Sequence, residues 1–232
     1  ALRPRQPNVL NNLANALNDV GKYEEALEKY EEALALKPDS SLAFYNRAVT
    51  LTKLERCKDA LESYEKAIRL KPDYVEAYIN RAFILSAFGL HEEALDSCDQ
   101  AIIVRPDSPD ALNSKANILK AMGQLDAALD NYNMAISFRP DFIEALNNRG
   151  LTLKHLERYE EAINSIELAI SLDADNAEAF NNLGLVLAAS KRNEAALENY
   201  NHAIRLKPDY VEALNNRGIT LNHLKQYTAA LE

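Results

Sequence analysis

The 232-residue sequence has no tryptophan, two cysteines, six glycines and eight prolines. Each shortage excludes something. So little glycine and proline leaves scant room for irregular loop. Cys57 and Cys98 have no close-spaced partner, which excludes a disulfide framework and a zinc-ligand spacing. They read as reduced, buried thiols of a cytoplasmic protein. The sequence also lacks any Asn-x-Ser/Thr sequon, which agrees with that location. No apolar run nears the roughly 20 residues that a membrane span needs, and no apolar stretch of a signal peptide follows Arg3 and Arg5. Basic character is missing too. The formal net charge is −9, and no basic stripe offers itself to nucleic acid or to an anionic membrane surface.

Catalytic signatures are absent as well. There is no Gly-rich phosphate loop, no His-Glu-x-x-His and no nucleophile elbow. Of the four histidines, His91, His155, His202 and His223, only His155 and His223 share a phase, and they lie two units apart. Metal ligands must converge to within about 2 Å of one point. The expectation is therefore a chain that is not itself an enzyme, with no catalytic residue, no metal and no cofactor.

What the sequence does have is a period. Pro38, Pro72, Pro106, Pro140 and Pro208 are related by steps of 34 or its double, with Ala174 at the missing place. Ala26, Ala60, Ala94, Ala128, Ala162, Ala196 and Ala230 follow the same step without a gap. So do Ala33, Ala67, Ala101, Ala135, Ala169 and Ala203, and a leucine ladder from Leu17 to Leu221. Such a period marks a repeat architecture. Within one unit, Leu146, Arg149, Gly150 and Leu153 form the i, i+3, i+4, i+7 stripe of a first helix, here called A. Glu157-Arg158 marks a turn, at a place held elsewhere by Gly21, Gly89 and Gly123, good helix terminators. Tyr159, Ala162, Ile163, Ile166, Ala169 and Ile170 form the stripe of a second helix, B. Proline then ends most B helices, because it lacks the amide donor and clashes with the preceding turn. Small residues (Ala14, Ala48, Ala82, Ala116, Gly150, Gly184 and Gly218) sit on A where it meets its partner, since helices approach to about 8 Å only over short side chains.

This pattern resembles the tetratricopeptide repeat family, a 34-residue helix-turn-helix with large, small and large positions and a closing proline. The resemblance covers essentially the whole chain. It implies an all-α fold, an α-solenoid coiled as a right-handed superhelix, with A helices on the concave side. Two departures stand out. No unit carries the family's tryptophan. The family's leucine in mid-helix A survives only as Leu13 and Leu183, and is elsewhere Arg47, Arg81, Lys115, Arg149 or Arg217. These cations fall on the packed side, and the expectation is that they bury their stems and send their charge toward helix B carboxylates.

The repeats divide the chain into the tail of a preceding repeat (1–6), six complete units (7–40, 41–74, 75–108, 109–142, 143–176 and 177–210) and a truncated seventh (211–232). With neither an initial Met nor a polar capping helix, the sequence reads as a piece of a longer array. Uncapped ends leave end-to-end self-association as a further possibility.

The polar side of helix A is then the working wall. Its central position reads Asn12, Asn46, Asn80, Ser114, Asn148, Asn182 and Asn216. The position before it includes Asn113, Asn147 and Asn181. An asparagine amide offers both a donor and an acceptor and so matches a peptide backbone. By resemblance, the same ladder in the family's O-linked N-acetylglucosamine transferase members grips substrate polypeptide. The plainer alternative is that these asparagines pack between successive A helices, and the two roles are compatible. Asp19, Lys53, Lys120 and Lys154 leave the wall near neutral, with apolar spots at Val49, Phe83 and Leu151. Glu76, Asp110, Glu144, Glu178 and Glu212 rim the helix A starts, where they suit the helix dipole.

The family's two-carboxylate clamp for chaperone tails is not matched, because Glu76 and Glu178 stand where it needs cations. The sequence thus points to an interaction scaffold for a partner protein or peptide held in the concave groove. A substrate-recruiting arm of a larger enzyme such as a glycosyltransferase, and a self-associating array, remain the alternatives.

Overall fold

The computed structural model describes residues 6–224. The first five residues of the expected tail (1–6) and the last eight of the truncated seventh repeat (211–232) lie outside the described residues. Among the described residues there are thirteen α-helices and no strand. The A helices are α1 (Pro7–Asp19), α3 (Ser41–Lys53), α5 (Val75–Ala87), α7 (Pro109–Ala121), α9 (Ile143–His155), α11 (Ala177–Ala189) and α13 (Val211–His223). The B helices are α2 (Tyr23–Leu36), α4 (Cys57–Leu70), α6 (His91–Val104), α8 (Leu125–Phe138), α10 (Tyr159–Leu172) and α12 (Asn193–Leu206). None of them is long and apolar enough to cross a membrane. The chain divides into two compact units, Ala1–Lys115 and Ala116–Glu232.

The turn inside each hairpin is a single left-handed residue. Gly21, Gly89 and Gly123 hold φ of 79°, 75° and 77°, and Glu55, Glu157 and Lys191 occupy the equivalent places at 58°, 57° and 64°. The leucine ladder supplies the acceptor that closes these turns: Lys22 N donates to Leu17 O at 2.9 Å, Arg56 N to Leu51 O at 2.9 Å and Arg158 N to Leu153 O at 2.9 Å. This is the six-to-one bond of a Schellman cap. At the A-helix starts, Ser40, Ser108 and Asn176 accept from the backbone N–H three residues on, satisfying an orphan donor. Tyr74, Phe142 and Tyr210 take that place in other repeats. Each lies under the cation three residues earlier, with Lys71, Arg139 and Lys207 at 4.5, 4.5 and 5.0 Å from the ring centroids.

In each unit the core runs along the A–B seams. In the first, Ala14, Ala48, Ala26, Ala60, Tyr30 and Tyr64 are buried together. In the second, Ala162, Ile166, Ala196 and Tyr200 are. Small faces large across the seam. A Cβ on Gly150 would lie 2.4 Å from Ile166 Cγ1, and one on Gly184 would lie 2.5 Å from Tyr200 Cε1. B helices also pack on the next A helix: α2 on α3, α4 on α5, α8 on α9, α10 on α11 and α12 on α13. Successive A helices touch (α1 and α3, α9 and α11, α11 and α13), whereas neighbouring B helices such as α2 and α4, or α10 and α12, make no comparable contact. Within each unit the hairpins therefore converge on their A side and spread on their B side.

The mid-helix A cations reach two B helices. Arg47 Nη1 donates to Ser63 Oγ at 2.6 Å, and Arg81 Nη1 to Ser97 Oγ at 2.6 Å, both on the B helix of the same hairpin. Their other ends lie 3.5 Å from Glu31 and 3.7 Å from Glu65 on the preceding B helix. Lys115 pairs with Asp99 at 2.6 Å. Arg149 donates to Ser165 Oγ at 2.9 Å but meets Asn133 Oδ1 at 3.2 Å, and Arg217 meets Asn201 Oδ1 at 3.4 Å. The expected carboxylate is present in three repeats and is an asparagine in the other two.

Candidate peptide-binding wall

The converging A helices bring the ladder asparagines of each unit side by side. In the first unit Asn12 is exposed on α1. Asn46 Nδ2 donates to Asn15 Oδ1 at 3.0 Å and to Asn11 Oδ1 at 3.4 Å. Asn80 Nδ2 donates to Tyr45 Oη at 3.1 Å. In the second unit Asn216 Nδ2 donates to Asn181 Oδ1 at 3.0 Å, and Asn148 Oδ1 accepts from Lys120 Nζ at 3.1 Å. Ser114 is half-buried on α7. Three of these bonds join a ladder residue to the residue 35 places earlier, on the preceding A helix. The ladder thus has a packing role, spending part of its hydrogen-bond capacity in rungs between helices.

One rung differs. Asn147 and Asn182 stand in the same relation on α9 and α11. Both side chains are buried, at 6% and 4% exposure, yet Asn147 Oδ1 and Asn182 Nδ2 have no hydrogen-bond partner. An acceptor and a donor left open in a buried place cost about 1–3 kcal/mol each. Asn113 and Asn181, from the same row as Asn147, are buried too.

Sequence reasoning missed a second ladder that feeds the wall from behind. Tyr30, Tyr64, Tyr132 and Tyr200 of the B helices are among the largest fully buried side chains. Tyr30 Oη donates to Asn15 Oδ1 at 2.6 Å and Tyr132 Oη to Asn117 Oδ1 at 2.5 Å. The signal was available: asparagine stands 15 residues before tyrosine in both repeats. Where that place is apolar it holds Val49, Phe83, Leu151, Leu185 and Ile219, and Phe83 is 69% exposed.

Charge on the wall is uneven. In the second unit, burial pushes the Lys120 ammonium below its ordinary value, against the pull of Glu144 and Glu178. Lys154, at the same repeat position, is half-buried. The neighbouring His155 is shifted down by burial first, then by Lys154 and Lys120. In the first unit the same position holds Asn18, Thr52 and Ser86, all neutral. Lys53, one place on, lies 5.3 Å from the Tyr23 ring centroid. Of the two free thiols, Cys98 is buried and pushed up to about 12 by that burial, which makes it a poor nucleophile at neutral pH.

Paired helices in a 34-residue period, packed small against large and converging on an asparagine-bearing face, define an all-α helical-hairpin repeat protein of the α-solenoid class. Family models of the tetratricopeptide repeat match residues 5–73 and 51–118, and a further one matches 116–156, 153–191 and 186–222. The chain belongs to the tetratricopeptide repeat family.

A comparison with curated protein sequences found no match. Among solved structures, the chain is similar to the APC/C hetero-tetramer Cut9–Hcn1, at 16% identity and TM-score 0.81 over 95% of this chain and 43% of that one. It is similar to PilW, a widely conserved type IV pilus biogenesis factor, at 22% identity and TM-score 0.82 over 90% and 97%. It is also similar to YrrB, a TPR protein with an unusual peptide-binding site, at 24% identity and TM-score 0.60 over 80% and 96%. At these identities the likeness shows the fold alone. The chain spans less than half the length of the Cut9–Hcn1 chain it matches.

Proposed function

We propose that the chain is a non-catalytic interaction scaffold that holds an extended segment of a partner protein along the A-helix wall. The observation that carries this reading is the composition of that wall. Amide side chains share it with apolar ones, of which Phe83 leaves 69% and Ile219 57% of its surface in water. Such a surface suits an extended segment of mixed polar and apolar residues, whose main chain needs donors and acceptors and whose side chains need apolar contact. Asn12, Asn46, Asn80, Ser114, Asn148, Asn182 and Asn216 form the polar track of the wall in this reading. Asn113, Asn147 and Asn181 back it, and Lys120 and Lys154 add charge to it in the second unit. The description of YrrB as a protein with a peptide-binding site is consistent with this use of the fold. The partner is a protein or peptide rather than nucleic acid or membrane, and the net charge of −9 supports that choice.

The test is an array of random peptides probed with the chain, followed by solution affinities for the bound sequences. Asn148→Ala and Phe83→Ala are each expected to weaken peptides held by their own unit by about tenfold, equivalent to roughly 1.4 kcal/mol. An array with no bound peptide, or hits that neither substitution affects, contradicts the proposal.

A further inference from the structure

We propose that the cleft between α8 and α10, on the B side of the second unit and away from the wall, binds a compact oxyanion, which Arg149, Asn133 and Asn164 hold in the place that a carboxylate of the chain fills in other repeats.

The charge pattern carries the first half of the argument. Two B-helix positions beside the mid-helix A cation are acidic elsewhere. They are Glu31 and Glu62 for Arg47, Glu65 and Asp96 for Arg81, and Asp99 and Asp130 for Lys115. For Arg149 both positions are amides, Asn133 and Asn164. Glu161 also acts on Arg149, but it accepts two bonds from Arg158, each at 2.7 Å. Arg149 and Arg158 against Glu161 alone leave one net positive charge in the cleft. The same positions in the first unit set Arg47 and Arg56 against Glu31, Asp59 and Glu62, and Arg81 against Glu65, Glu93 and Asp96. Both of those sets are net negative. On a chain of charge −9, the α8–α10 cleft reverses the local sign, and an anion is drawn to it.

The geometry carries the second half. Arg149, Asn133 and Asn164 line one cavity of about 240 Å³, together with Leu129 and Leu153. The two leucines are buried, Arg149 is half-buried, and both asparagines are exposed. The cavity is thus open to solvent over a partly dehydrated guanidinium. Burial lowers the titration of that guanidinium, and Glu161 offsets the effect only in part. Arg149 Nε donates to Ser165 Oγ at 2.9 Å and Nη1 to Asn133 Oδ1 at 3.2 Å. Its Nη2 has no partner among the described residues, so three of the five guanidinium donors remain for two oxygens of an oxyanion. The amide nitrogens of Asn133 and Asn164 add neutral donors where a carboxylate would repel the ligand.

Nuclear magnetic resonance of the chain tests this. Acetate and inorganic phosphate are each titrated against chloride at fixed ionic strength, and the side-chain N–H signals of Arg149, Asn133 and Asn164 are followed. Saturable shifts are expected, with a Kd on the order of 1–10 mM. A response to acetate alone assigns a carboxylate site, to phosphate alone a phosphate site, and to both a general oxyanion site. Asn133→Glu rebuilds the ion pair that Arg47 makes with Glu31. It is expected to weaken binding by about tenfold or more, with no loss in melting temperature. Asn133→Gln keeps the site neutral and is expected to bind within about threefold of the parent. Shifts no larger than those with chloride, or binding that survives Asn133→Glu, overturn the inference.

Discussion

At the residue scale, the small positions are set by what faces them. Ala162 has no accessible surface and lies in the A–B seam, where a Cβ added at Gly150 would already reach Ile166. Ala162→Leu overfills that seam and is expected to destabilise the chain by about 1–3 kcal/mol. An unchanged denaturation midpoint contradicts the packing described. The buried tyrosines make a prediction about pH. Burial pushes Tyr64 and Tyr200 up from 10.0 to about 12, and raises Tyr30 and Tyr132 as well. In the unfolded chain these phenols lose their protons near the ordinary value, while the folded chain keeps them. The folded state then binds more protons, so stability falls as pH rises. The loss begins near pH 10 and runs to about 12. A urea midpoint that stays level across that window, or tyrosinate absorbance that rises at the ordinary phenol pH in the folded chain, contradicts it.

At the scale of the element, the hairpin turn is nearly the same object in every repeat, and its sequence varies only in how well it suits the backbone. Gly21, Gly89 and Gly123 accept a left-handed φ without penalty, whereas Glu55, Glu157 and Lys191 adopt φ of 58°, 57° and 64° with a side chain attached. Glu157→Gly is expected to raise stability by about 0.5–1 kcal/mol, read as a higher thermal midpoint. A lower midpoint places the gain elsewhere, in contacts of the Glu157 side chain. The turn and the pairing of an A with a B helix were legible in the sequence, because a 34-residue period written in alanine, leucine and proline fixes phase as well as length. The partners of the mid-helix cations were legible only in part. Arg47, Arg81 and Lys115 reach the anticipated carboxylates, while Arg149 and Arg217 settle for Asn133 and Asn201. The serines that complete the arginine contacts, Ser63, Ser97 and Ser165, lie 16 residues on. That spacing gains meaning only once the hairpin closes.

At the scale of the whole molecule, repetition explains why the fold was readable and the site was not. Every repeat presents the same wall positions, so the sequence identifies Asn148 and Asn182 as equivalent residues. The structure separates them: Asn148 accepts from a lysine, and Asn182 is sealed with an unused donor. The lysine that Asn148 meets lies 28 residues away, beyond the reach of any local pattern. The tyrosine hydroxyls that arrive from the B helices meet asparagines 15 residues back, a spacing that gains meaning once the hairpin closes. The most direct measurement is hydrogen–deuterium exchange across the chain, with and without a bound array-derived peptide. The wall predicts added protection in A helices and little change in B helices such as α10 and α12. Protection confined to the B helices contradicts the account.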